Sequence, residues 1–375
     1  MSEPTWEASD FRLWTSLPAR YLPRVLDSLT AQLNSGRPLD EAQVRSAVAE
    51  LADEHVPVTA KADFLIALTR KGETPEEIAA FARELRARAV VPPIDAAWRG
   101  SREILDVVGT GGDHLSTFNI STTVALVCAA AGVVVAKHGN RAVTSAVGSA
   151  DVMEALGIPF DLSPGDAARA LREYGFAFFF APKYHPAFKH IAPARKLCAE
   201  RGQRTIFNFL GPLLNPARPT AALIGVPRPE LCEPLARVLQ SLGVRRAMVV
   251  CGAAQATDGT PRHLDELSTL GPNTVAEFYQ VHGFACATLD PSQFPLQPAT
   301  LADLCGGDRE ANATIIRGLL RGEDRGPRRD AILLNAGAAL FVAGAARSIA
   351  AGWELAATVM DDGRAAKKLV ELRRV

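Results

Sequence analysis

The run "EILDVVGTGGDHLSTFNISTTVALVCAAAGVVVA", residues 103–136, restricts the fold more than any other stretch. An apolar, strand-like segment enters three glycines and a polar helix start. Gly132 then closes the helix and "VVVA" opens a second buried strand. Strand, helix and strand in that order form a βαβ unit, whose right-handed crossover sets parallel strands side by side. Parallel sheets are covered on both faces, so helices belong above and below. "FAFFFA" and "RRAMVVC" read as further buried strands. From Asp330 onward the chain is Ala-rich and helical, with small residues that permit close packing.

The texture before this unit is different. Leu and Val recur at helical spacings from Leu22 to Val90, broken by "SGRPLD". "TPEEIAAFARELRARA" has Thr74 as N-cap, Pro75 at the first helical position and Glu76 and Glu77 in the opening turn. "VVPPID" then stiffens the chain and ends the helical part. The expected class is α/β: a small all-helical N-terminal domain plus a larger α/β domain with a mostly parallel central sheet flanked by helices. The expected boundaries are an N-terminal extension over 1–20, the helical domain over 21–95 and the large domain over 96–375.

A glycine cluster at a strand end lets a ligand approach the backbone, and the following helix N-terminus favours an anion. No GK[ST] follows the glycines. His114 stands where a dinucleotide fingerprint has its third glycine. The residues alone leave two readings open, a phosphate site and a tight capped βα turn. A second polar loop, "KHGNRAVTS" from Lys137 to Ser145, follows the second strand, with Gly148 and Ser149 beyond. Ligands gather beyond the carboxyl ends of such strands, so both loops face one crevice. Adjacent carboxylates, Asp265 and Glu266, suit Mg²⁺ shared with substrate phosphates, although a lone pair of this kind is usually surface charge. "YHPAFKH" spaces His185 and His190 five apart, which does not place them on one helix face as a zinc pair.

Composition excludes other classes. Lys plus Arg and Asp plus Glu both number 41, so no net charge draws the chain to nucleic acid or an anionic membrane. Six cysteines without a CxxC pair argue for a reducing compartment. The first residues lack an apolar signal core, and Ile120–Ala136 is too short to span a bilayer. The expectation is a soluble, cytoplasmic chain.

Together "DVVGTGGD", "FNIST", "VAKHGNRAVTS", "GSADVMEALG", "FAPKYHPAFKH", "RTIFNFLGPLLNPARP" and "LDELSTLGPNTVAEF" resemble the anthranilate phosphoribosyltransferase family in its own motif order. The resemblance implies Mg²⁺-dependent transfer of a phosphoribosyl group from 5-phosphoribosyl-1-pyrophosphate to the amine of anthranilate, in tryptophan biosynthesis. It implies donor contacts at Gly109, Gly112, Asp113, Thr117, Asn119, Ile120, Ser121, Thr122, Lys137, Asn140, Arg141, Thr144, Ser145 and Ser149. It implies acceptor contacts at Gly109, His138, Asn140, Tyr184, His185 and Arg195, and metal ligands at Ser121, Asp265 and Glu266. No residue is implied as an acid or base. A homodimer through the helical domain is implied, with a helical insertion near 186–203 joining that domain in space. The chain departs from the family pattern at His114, where glycine is usual, at Thr144 for serine, and in longer segments near 198–203 and 253–262. The competing readings are a related phosphoribosyltransferase or nucleoside phosphorylase with another acceptor, and a silent nucleic-acid-binding relative.

Overall fold

Three parallel strands that end in glycine determine where the rest of the chain can go. They are β1 (Ile104–Gly109), β2 (Val134–Gly139) and β4 (Ala221–Gly225). The computed structural model describes residues 24–142, 147–256, 258–279 and 283–375. The remaining strands are β3 (Phe176–Phe180), β5 (Arg246–Gln255), β6 (Pro261–Leu264), β7 (Asn273–Tyr279) and β8 (Phe284–Leu289). The sheet order is β3-β2-β1-β4-β5-β7-β8, with β6 paired to β5 as a hairpin. Pairing is parallel from β3 to β5 and antiparallel through β7 and β8.

Period-two alternation sorts each central strand between two cores. Leu223 of β4 and Met248 and Val250 of β5 face helices Ile120–Ala130, Pro327–Val342 and Ile349–Asp361. Ile224, Ala247, Val249 and Cys251 face the opposite side, where helix Cys232–Ser241 lies. That second core runs without a break into a bundle of helices Val25–Asn34, Glu41–Ala52, Val58–Lys71 and Pro75–Ala87.

Within the bundle, Thr74 and Glu77 form a reciprocal capping box at the last helix. Glu77 is fully buried and also takes the Leu39 N–H at 2.9 Å and the Lys71 ammonium at 2.5 Å. One carboxylate thus ties three segments. Helix Phe188–Glu200 packs against the bundle: Lys61 donates to the His190 carbonyl at 3.0 Å, and Cys198 lies against the Ala62 carbonyl. "GTPRH" supplies the β5–β6 hairpin, and 285–310 supplies β8 and a wall of the cleft described below. The expected extension over 1–20 lies outside the described residues.

Candidate active site

A cleft of about 430 Å³ opens at the carboxyl ends of β1 and β2. Its depth comes from a segment, Asp265–Ser268, that crosses the strand ends where glycines permit it. A Cβ on Gly225 would lie 1.5 Å from the Asp265 carbonyl oxygen, and one on Gly109 would lie 2.2 Å from Asp265 Oδ2. Two buried carboxamides hold the segment down. Asn335 accepts the Leu267 N–H and donates to the Leu267 carbonyl, each at 2.9 Å. Asn273 does the same for Ser268, at 2.6 and 3.0 Å. The carboxylates are therefore fixed in position.

From there Asp265 Oδ2 accepts the Gly111 N–H at 2.6 Å, and Glu266 Oε1 accepts the Ser121 N–H at 3.1 Å. The glycine turn and the start of helix Ile120–Ala130 converge on the acidic pair. Burial and the facing Asp113 carboxylate raise the proton affinity of both. Asp265 stands well above the usual carboxylate range, and Glu266 is pushed up to about 8 despite the opposing pull of Lys137. Lys137 is fully buried, donates to the Val107 carbonyl at 2.7 Å and lies 3.3 Å from Ser121 Oγ. Below it, Asp106 is pushed up to about 6 by burial, while Lys137 and the Asn215 amide pull the other way.

Of the residues implied as donor contacts, Gly109, Gly112, Asp113, Thr117, Asn119, Ile120, Ser121, Thr122, Lys137 and Ser149 line the cleft together with Asp265 and Glu266. Asn140 stands behind Ser149, whose hydroxyl donates to its carbonyl at 3.4 Å. Arg141 does not line the cleft: it pairs with Asp151 at 2.7 Å and Glu154 at 3.0 Å, and its guanidinium covers Phe160. Thr144 and Ser145 lie outside the described residues. Gly306, Gly307 and Asn312 form a wall that the motif reading missed. The "CGG" before an N-capping Asp308 was the available signal.

Three of the implied acceptor contacts, His138, His185 and Arg195, gather in a separate ring cluster. His138 meets His185 at 5.4 Å between centroids, His185 stacks on Phe188 at 5.2 Å, and Phe188 meets Phe207 edge-on at 5.6 Å. Arg195 covers Phe207 at 5.4 Å, and burial lowers its proton affinity. Burial holds His138 down at about 3 and His185 at about 4, so both imidazoles are neutral. The neutral His138 donates through Nδ1 to the Gly211 carbonyl at 3.2 Å, and Nε2 of both rings is buried without a partner among the described residues. Tyr184 packs instead on Phe179, in a different apolar cluster.

The donor set suits a hard divalent cation. Asp265, Glu266 and Ser121 offer oxygen, and excess buried negative charge seeks a counterion. Among the described residues, no three His, Cys, Asp or Glu side chains are grouped to hold an ion unaided. Mg²⁺ fits that pattern, since it draws its other ligands from phosphates and water.

Two family models match the chain: the α/β domain of a glycosyl transferase family over residues 101–366 and its helical bundle domain over 27–89. The anthranilate phosphoribosyltransferase of Lacticaseibacillus casei is 49% identical over 311 residues, covering 83% of this chain and 86% of that relative. The one from Symbiobacterium thermophilum is 45% identical over 350 residues, covering 93% and 97%. The chain belongs to the anthranilate phosphoribosyltransferase family. The crystal structure of the Thermus thermophilus enzyme of this family superposes with a TM-score of 0.81 at 41% identity, covering 92% of this chain and 99% of that one. The Saccharomyces cerevisiae enzyme, solved in complex with phosphoribosyl pyrophosphate and Mg, gives 0.79 at 27% identity, covering 93% and 97%. Family membership makes the chain a transferase of the pentosyl group. No helix among the described residues is long and apolar enough to cross a membrane.

Proposed function

We propose that the cleft binds 5-phosphoribosyl-1-pyrophosphate with Mg²⁺ and that the neighbouring ring cluster receives anthranilate, whose amine displaces pyrophosphate from the anomeric carbon. One observation carries this reading. The glycine turn, the helix N-terminus, Lys137 and the Asp265–Glu266 pair all face one cavity, although they come from distant parts of the chain.

Asp265, Glu266 and Ser121 would hold the cation, which when bound would neutralise charge on the departing diphosphate. The N–H groups of the glycine turn and of Thr122 would hold phosphate oxygens. Lys137, fixed between Val107 and Ser121, supplies a positive charge that needs no reorganisation. Gly109 ends β1 where donor and acceptor would meet. Arg195 would pair with the acceptor carboxylate, and neutral His138 and His185 would not compete for it. An aromatic amine is already a nucleophile, so positioning and charge neutralisation suffice. Arg141, Asn140, Thr144 and Ser145 remain donor contacts in this reading, with Arg141 leaving its carboxylates to engage.

We infer further that two copies pair through the bundle, where Val25 and Val58 are exposed, and that the chain works in the cytoplasm, in keeping with six unpaired thiols. A monomer mass by light scattering overturns the pairing. The activity test mixes the protein with anthranilate, phosphoribosyl pyrophosphate and Mg²⁺ and follows anthranilate fluorescence. Loss of signal that requires all three supports the reading. Consumption of uracil or thymidine in place of anthranilate overturns it.

A further inference from the structure

Asn119 is the N-cap residue of helix Ile120–Ala130, and asparagine there ordinarily turns its side chain onto the second or third N–H of its own helix. This one makes no such bond. Its Oδ1 accepts from Asn312 Nδ2 at 3.1 Å, and its Nδ2 donates to the Val147 carbonyl at 3.3 Å. Asn312 reaches across from helix Arg309–Leu320, is 2% exposed, and takes the Gly307 N–H on its Oδ1 at 2.9 Å. A Cβ on Gly306 would lie 2.3 Å from that same Oδ1, so the glycine makes room for the carboxamide.

The consequence appears in the first turn of the helix. The Ser121 N–H goes to Glu266, whereas no acceptor among the described residues meets the Thr122 N–H. Thr122 lines the cleft, and its Oγ1 is buried without a partner among the described residues. A helix end left uncapped beside an orphaned buried hydroxyl is prepared for an external acceptor.

We propose that Asn312 is a positioning residue for the phosphorylated donor: it holds the Asn119 side chain off its own helix and so keeps the first-turn N–H groups facing the cleft. Without the Asn312 donor, Asn119 rotates onto Thr122 and caps the helix in competition with phosphate. This deepens the donor site proposed above and depends on it.

The test is calorimetric titration of phosphoribosyl pyrophosphate with Mg²⁺ into the full-length wild type, Asn119→Ala, Asn312→Ala and the double variant. Asn312→Ala weakens binding by about fivefold to tenfold when Asn119 is present, the scale of one N-cap. It weakens binding less than twofold when residue 119 is alanine, because no carboxamide is left to swing. The KM for anthranilate stays unchanged. Equal weakening in both backgrounds, or none in either, overturns the proposal. Asn312→Ser replaces the alanine variant if the latter loses its native circular dichroism. Loss of the fold in both makes Asn312 a stability residue and also overturns the proposal. A wild type that binds no phosphoribosyl pyrophosphate removes the donor site itself, and this role with it.

Discussion

His114 shows how one side chain alters a glycine turn. Its φ is +57° and that of Ser116 is +55°, in a loop where Gly111 and Gly112 are also left-handed. A side chain in that region costs about 1–2 kcal/mol, which explains why glycine is usual at this place in the family. Histidine tolerates the conformation and a β-branched residue does not. Urea denaturation of His114→Gly should stay within about 1 kcal/mol of wild type, since relief of strain is offset by a more flexible unfolded chain. His114→Val should lose about 1–2 kcal/mol or more. Equal stability of the two variants would remove the strain. Asp265 presents the opposite balance. Its carboxylate is buried against Asp113 and Glu266, so Asp265→Ala relieves repulsion while deleting a proposed cation ligand. Turnover should fall by about a hundredfold or more with the melting temperature unchanged or raised. Near-normal turnover at saturating Mg²⁺ would count against the role.

At the scale of elements, the β1–helix–β2 unit was plain because each part signals locally: an apolar run, a glycine turn, a polar helix start. β4, "AALIG", escaped notice because it is only five residues long and its two alanines and its glycine carry little strand propensity. Its identity comes from pairing with β1 on one side and β5 on the other. The antiparallel edge formed by β7 and β8 was hidden for another reason, since β8, "FACATL", is mostly exposed and lacks the alternation that marks a half-buried strand. The acidic pair was legible as a residue type but not as a place. The carboxamides of Asn335, from a helix distant in sequence, and of Asn273, five residues beyond Ser268, turn "LDELS" from ordinary loop charge into a fixed lid over the strand ends. The same geometry predicts an intolerant position. A Cβ on Gly225 meets the Asp265 backbone, which those carboxamides prevent from yielding. Gly225→Ala should therefore cost about 1–3 kcal/mol or more in urea denaturation and abolish turnover. A fully stable, active Gly225→Ala variant would show that the segment moves freely.

The whole molecule has a seam where bundle, sheet and ring cluster meet. Arg86 of helix Pro75–Ala87 donates to the Leu213 carbonyl at 2.5 Å, and the same turn takes His138 through the Gly211 carbonyl. His138 and His185 are buried there and neutral, held near 3 and 4, whereas in the unfolded chain each titrates near its ordinary value of about 6.5. Between those limits the unfolded state binds more protons, so stability falls as pH drops below about 6.5, by about 2 kcal/mol for each histidine at pH 5. The raised carboxylates act the other way. Glu266, near 8 when folded, keeps its proton where the unfolded chain has lost it, so its contribution weakens as pH rises. The wild-type pH profile is thus a difference between two opposing sets. His138→Gln with His185→Gln separates them, because it removes only the acid-sensitive set. Urea titrations at pH 7 and pH 5 should show the wild type losing about 4 kcal/mol more than the double variant on acidification. Equal losses in the two proteins would mean that these imidazoles take up protons in the folded state, and the ring cluster would then be charged where the structure makes it neutral.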